Sequence, residues 1–111
     1  AISNSNELIE IPKSMVNPID QHFALRVEGD SMVDLGILDS DIAIIKSLNT
    51  AEDGSIVVAL IDNQETTLKK LRKNSNSIAL EPANKEYDTK IYASDRVKIQ
   101  GKLVATYRLY N

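Results

Sequence analysis

The stretch Val27-Glu28-Gly29-Asp30-Ser31-Met32-Val33-Asp34-Leu35-Gly36-Ile37-Leu38-Asp39-Ser40-Asp41 decides how this chain is read. Phe23, Leu25 and Val27 lead into it with the period-two alternation of a half-buried strand. Residues 42–45 lead out of it, short, β-branched and continuous, as expected of a strand covered on both faces. Between the two lies a polar turn in which Gly29 can adopt backbone angles closed to other residues. Residues 31–36 fit a single helical turn capped by Asp30 and ended by Gly36. Asp39-Ser40-Asp41 reads as a tight turn, because the spacing and distal glutamate of a calcium loop are missing. Ser31 is then either a loop serine or, with a base near enough to take its proton, a nucleophile.

Outward from this turn the chain stays β-like. Residues 56–61 form a second continuous apolar strand after a loop at 49–54, and Asp62-Asn63-Gln64 turns into a strand over 65–72. Residues 73–76 turn again, 78–80 make a short strand, and 82–90 are loop. Residues 97–99 and 103–109 read as two last strands bent at Gly101. Towards the N-terminus, residues 1–6 are polar and expected to fray. Leu8, Ile9 and Ile11 form a strand-like patch that Pro12 ends or pushes to an edge, and 14–21 are loop. His22 is the sole histidine, and no feature ties it to an orienting carboxylate, so it reads as a surface or edge residue. No helical periodicity or repeat appears. Seven or eight short strands predict an all-β fold, a barrel or folded ribbon.

Composition sets bounds on function. The 111 residues suit one domain spanning 1–111, and 42 % apolar with 26 % charged residues is ordinary for a globular chain. A net charge of −3 and a pI near 5.1 oppose a sequence-independent grip on nucleic acid. The absence of cysteine excludes disulfides, zinc–thiolate sites and cysteine catalysis. The longest apolar run, 56–61, is far below the roughly 20 residues of a membrane span. No signal-peptide pattern opens the sequence. A cytoplasmic setting without membrane attachment is the expectation.

Four ordered blocks carry a family resemblance. They are Gly29-Asp30-Ser31-Met32 with Asp34, Gly36-Ile37, Asp39 and Asp41; then 53–59 with 65–71; then Leu80-Glu81-Pro82-Ala83-Asn84; and finally Ile99-Gln100-Gly101-Lys102-Leu103-Val104. From about Leu25 to Arg108 the chain resembles the LexA repressor family of serine peptidases (peptidase S24), which includes the UmuD mutagenesis proteins and lambdoid phage repressors. The last two blocks read closer to LexA than to UmuD. The resemblance implies a coiled β-ribbon or partly open barrel of the kind shared with signal peptidases. It also implies a serine–lysine dyad, Ser31 as nucleophile and Lys69 as general base, with no metal or cofactor.

The partners it implies are a second copy in a homodimer, the RecA–single-stranded DNA filament that stimulates self-cleavage, and the protein's own cleavage segment. DNA would be bound through an N-terminal winged helix-turn-helix. LexA-like proteins cut at a small-residue–Gly bond, usually Ala-Gly, yet no Ala-Gly or Cys-Gly pair occurs here, and 30 residues precede Ser31. The sequence is therefore expected to be the C-terminal peptidase and dimerisation domain of an SOS-response repressor. A UmuD-like binding module serving an error-prone polymerase is the alternative. Type I signal peptidase also uses a serine–lysine dyad but carries a membrane anchor.

The dyad makes a demand on Lys69. A free lysine has a pKa of about 10.4 and cannot accept a proton at neutral pH. Burial disfavours the ammonium, and lowering its pKa by one costs about 1.4 kcal/mol. In a strand, Thr67, Lys69 and Leu71 share one face, while Thr66, Leu68, Lys70 and Arg72 share the other. The second face carries two charges, which favours Lys69 as the inward lysine. The pattern alone leaves open an edge strand with both lysines solvated. Thr67 would hold the amine, backbone N–H groups of Asp30 and Ser31 would form the oxyanion hole, and Met32 would pack. The last strand, 103–109 with Tyr107 and Tyr110, is a candidate dimer edge, an interior strand being its alternative.

Overall fold

A computed structural model describes residues 9–110. The expectations for residues 1–6 and Leu8 lie outside the described residues. Seven strands make up one antiparallel sheet: β1 His22–Arg26, β2 Ile42–Ser47, β3 Ile56–Ile61, β4 Glu65–Lys73, β5 Ser77–Glu81, β6 Lys90–Ala93 and β7 Val97–Tyr107. Their order across the sheet is β1-β2-β7-β3-β4-β5-β6, so the sheet is open and β1 and β6 are its edges. Apart from strands, the described residues hold only three single 3-10 turns, Lys13–Met15, Val33–Leu35 and Ser94–Arg96. The fold is all-β. No helix among the described residues is long and apolar enough to cross a membrane.

The continuous apolar runs of β2 and β3 follow from burial on both faces. Val58 packs with Met32, Ile37, Ala43, Ile45 and Leu68 in one cluster. Its neighbours Val57, Ala59 and Ile61 pack with Leu71, Leu80 and Val97 in another. Alternate residues of one strand thus enter two cores. The β3–β4 turn is as tight as its composition suggests. Asp62 and Asn63 both have positive φ, 52° and 58°, and Gln64 N–H donates to Ile61 O at 3.0 Å. The connection is three residues, Asp62 to Gln64, and its two left-handed positions are of the kind Asp and Asn tolerate best after glycine.

Three expectations are corrected. The two C-terminal strands are one strand of 11 residues, ending at Tyr107. Gly101 does not break it; a Cβ there would lie 2.4 Å from Ile45 Cγ2 and 2.5 Å from Lys46 O, so glycine is required by close approach. The irregularity sits on either side of Gly101, where the pairing slips opposite Ile44/Ile45 and again opposite Val58/Ala59. Each slip leaves one extra β7 residue, as a bulge does. Second, β6 was not foreseen: four residues at an exposed edge, with Ile91 facing outward, give no alternation to read. Third, Ile9 and Ile11 form no strand; the chain makes a 3-10 turn at Lys13–Met15, and Tyr107 OH donates to Glu10 O at 2.6 Å.

The position of β7 qualifies the dimer-edge expectation. β7 lies inside the sheet, between β2 and β3. Pairing with β3 stops at Lys102, however, while pairing with β2 continues to Tyr107. Residues 103–107 therefore have a strand on one side only among the described residues. Leu109 and Tyr110 lie beyond it, both largely exposed. His22 sits in the edge strand β1, its Nδ1–H donating to Asp20 O at 3.1 Å.

Candidate active site

β4 delivers two of the chemically relevant side chains. Thr67 pairs with Ala59 and Lys69 with Val57, so both lie beside the apolar cluster of Val57, Ala59 and Leu71. Leu68 points into the other cluster, because the middle of β4 is covered on both sides. Thr67 is only 7 % exposed, and Lys69 is half-buried.

The turn between β1 and β2 delivers the serine. Met32 drops into the first core cluster and anchors the turn. The 3-10 turn Val33–Leu35 follows and is closed by Gly36 at φ 78°, whose N–H donates to Val33 O at 2.9 Å. Asp30 does not cap it; its carboxylate accepts a hydrogen bond from Tyr87 OH at 2.5 Å. The two carboxylates that could suggest calcium have structural partners. Asp39 Oδ1 accepts Gly29 N–H at 2.7 Å, and Asp41 accepts Leu38 N–H at 2.8 Å while pairing with Arg108.

Held in this way, Ser31 is 5 % exposed and its Oγ lies 3.1 Å from Lys69 Nζ. Lys69 Nζ also donates to Thr67 Oγ1 at 2.7 Å and to Leu68 O at 3.2 Å. Three acceptors satisfy the three donors of an ammonium. A neutral amine keeps two donors, for Thr67 and Leu68, and turns its lone pair towards the Ser31 hydroxyl. One geometry thus serves both protonation states.

The electrostatics weaken the ammonium relative to that of a free lysine. Burial pushes the Lys69 pKa below its ordinary value, Glu65 partly restores it, and Lys90 on β6 lowers it further. Ser31, Thr67, Lys69, Glu65 and Lys90 line a cleft of about 230 Å³, closed by Ile61, Leu80, Tyr87 and Tyr92. Among the described residues' hydrogen bonds, none uses the N–H of Asp30 or of Ser31. A hydroxyl facing an amine, beside N–H groups that no described hydrogen bond uses, is the arrangement nucleophilic attack on a carbonyl requires once the amine has lost its proton.

Sequence reading therefore named Asp30, Ser31, Met32, Thr67 and Lys69; Asp30, Ser31, Thr67 and Lys69 line the one cleft, while Met32 packs in the first core cluster. It missed Tyr87, Asn84, Glu65 and Lys90. Glu65 is two residues before Thr67 on the same strand face, a signal present in the period-two pattern. Asn84 and Tyr87 reach the site from a loop, and spacing carries no sign of that.

The Peptidase S24-like family model matches residues 1–104. The LexA repressor of Acidiphilium cryptum (strain JF-5) is 61 % identical over 102 residues, covering 92 % of this chain and 44 % of that protein. The LexA repressor of Gluconobacter oxydans (strain 621H) is 53 % identical over 110 residues, covering 99 % of this chain and 46 % of the relative. That of Rhodospirillum rubrum is 51 % identical over 110 residues, with 99 % and 43 % covered. The chain spans less than half the length of these relatives. With the match running through both the Ser31 turn and β4, the chain belongs to the Peptidase S24-like family.

Proposed function

We propose that this chain is the self-cleaving peptidase domain of a LexA-type repressor, with Ser31 as nucleophile and Lys69 as general base. The observation that carries the reading is the 3.1 Å approach of Lys69 Nζ to Ser31 Oγ, with Thr67 and Leu68 holding the amine from behind. Ser31 Oγ attacks the scissile carbonyl and its proton passes to neutral Lys69. The carbonyl oxygen becomes an anion at the N–H groups of Asp30 and Ser31. Collapse breaks the C–N bond, and Lys69 returns the proton to the leaving amine. Water, activated by the same amine, then releases the acyl group from Ser31.

The substrate is a small-residue–Gly bond, Ala-Gly in type, in the protein's own chain, and tethering gives that segment a large proximity advantage over a free peptide. Contact with a RecA–single-stranded DNA filament stimulates the reaction. DNA is bound by a winged helix-turn-helix outside these residues, and two copies pair through residues 103–107 of β7, whose unflanked side suits an isologous strand contact.

Incubating the chain with a peptide carrying an Ala-Gly bond, and mapping the products by mass spectrometry, tests the reading. Cutting after the alanine, abolished by Ser31→Ala and by Lys69→Ala, is expected. Undiminished cutting by Ser31→Ala would remove the assignment, and so would an inert, correctly folded wild type.

A further inference from the structure

The segment after β5 grips the Ser31 turn at two successive peptide units. Asn84 Nδ2 donates to Asp30 O at 2.8 Å. Ala83 N–H donates to Ser31 O at 2.8 Å, and Asp34 N–H donates back to Ala83 O at 2.8 Å. Asn84 is itself held in place. Its Oδ1 accepts Glu86 N–H at 2.9 Å, and its backbone carbonyl accepts Tyr87 N–H at 3.1 Å.

A trans peptide unit is planar, with its C=O and N–H directed oppositely. An Asp30 carbonyl turned to Asn84 therefore fixes a Ser31 N–H turned away from Asn84. Residues 29–32 belong to no strand or helix, so no ladder hydrogen bond restrains that plane. The Asn84 amide supplies the shorter of two restraints on the Asp30 carbonyl, 2.8 Å against 3.4 Å from Val33 N–H. Resting on the peptidase reading above, we propose that Asn84 is a positioning residue, which through the Asp30 carbonyl aims the Ser31 N–H at the place where the negative oxygen of the tetrahedral intermediate forms.

The residue type fits this role. A carboxamide offers a donor to Asp30 and an acceptor to Glu86 from one side chain. Aspartate has the same size and keeps the acceptor, but a carboxylate has no hydrogen to give the Asp30 carbonyl. Asn84→Asp therefore removes one bond and leaves the shape.

Cleavage of the Ala-Gly peptide by wild type, Asn84→Ala, Asn84→Asp and Ser31→Ala, resolved into kcat and KM, tests the proposal. Losing an oxyanion donor outright costs about 100- to 1000-fold in kcat, and a donor left in place but unrestrained is expected to cost roughly 10- to 100-fold. Both Asn84 variants should show that loss in kcat with KM unchanged. For Asn84→Ala the pH at half-maximal rate should stay where wild type has it, because Asn84 bonds to no part of Lys69. A wild-type kcat in either variant overturns the proposal, as does a loss confined to KM or a moved midpoint in Asn84→Ala. Ser31-dependent cutting with unaffected Asn84 variants removes this inference alone. Cutting that survives Ser31→Ala, or an inert wild type, removes the peptidase reading and this inference with it.

Discussion

Arg108 closes on Asp41 from just beyond β7, with Nε 2.5 Å from Oδ1 and Nη2 2.9 Å from Oδ2. Asp41 is 1 % exposed and ends the Ser31 turn, and the same guanidinium reaches Gly36 O at 3.3 Å. The turn that carries the serine is therefore braced by the last described residues of the chain. The Arg108 hydrogen bonds hold the Asp41 carboxyl below its ordinary 3.8, against the opposing effect of burial. A carboxylate with a depressed folded-state pKa contributes stability that is fully present above its unfolded value and lost as pH falls through the folded one. Asp41→Asn should thus cost about 2 kcal/mol at pH 7, the worth of hydrogen bonds to a charged group. Below about pH 3.8 the gap from wild type should begin to narrow, closing as pH falls through the lower folded-state value. Urea unfolding from pH 7 down to 2 measures it; a gap that is constant with pH contradicts the pairing.

Gly101 is expected to tolerate no side chain. The added Cβ would meet a backbone oxygen, Lys46 O, at 2.5 Å as well as Ile45 Cγ2 at 2.4 Å, so repacking Ile45 cannot relieve it. Gly101→Ala should destabilise by about 3 kcal/mol, the upper part of the range for overpacking. Trimming Ile45 in the same chain should recover none of that loss. The urea midpoints of the single and double variants decide it.

Thr67→Val should lower the maximal cleavage rate by roughly tenfold, since the amine loses its shortest hydrogen bond and part of its aim. The pH at half-maximal rate should fall. The bond to Thr67 favours the ammonium over the neutral amine, because charge-assisted hydrogen bonds are the stronger ones, so its removal favours deprotonation. A midpoint that rises would contradict the roles given to the two side chains.

Glu65 and Lys90 pull Lys69 in opposite directions. Glu65→Gln removes a negative charge that stabilises the ammonium, and the pH–rate profile should move to lower pH. Lys90→Gln removes a positive charge, and the profile should move to higher pH. Both displacements should shrink in high salt, as befits charges at an open cleft. Profiles that coincide with wild type would mean that neither charge is felt at Nζ.

Much of this architecture is legible in the chain. Alternation at Phe23, Leu25 and Val27, and the β-branched runs of β2 and β3, mark strands because burial on one or two faces leaves different periods. The Asp62-Asn63 turn is legible because few residues accept positive φ. β6 is not, since four residues at a solvent edge need no pattern, and β7 reads as two strands because Gly101 looks like a break when it is a close approach. The site divides likewise. The strand pattern favours Lys69 over Lys70 as the inward lysine, but its meeting with Ser31, 38 residues away, is a fact of topology. Only the resemblance of the blocks around each residue joined them. Asn84 and Tyr87 act through hydrogen bonds from a loop, where no periodicity exists to betray a role.

In the proposed mechanism Lys69 is neutral before Ser31 attacks. The most direct measurement follows the Lys69 side chain by NMR of its 13Cε across pH 6 to 11 and sets that titration beside the pH–rate profile of Ser31-dependent cleavage of the Ala-Gly peptide. One midpoint common to both curves is expected, below the ordinary lysine value of 10.5, with the rate rising as the proton leaves. A lysine that titrates at 10.5 or above, or a cleavage rate that does not follow its titration, would contradict that mechanism.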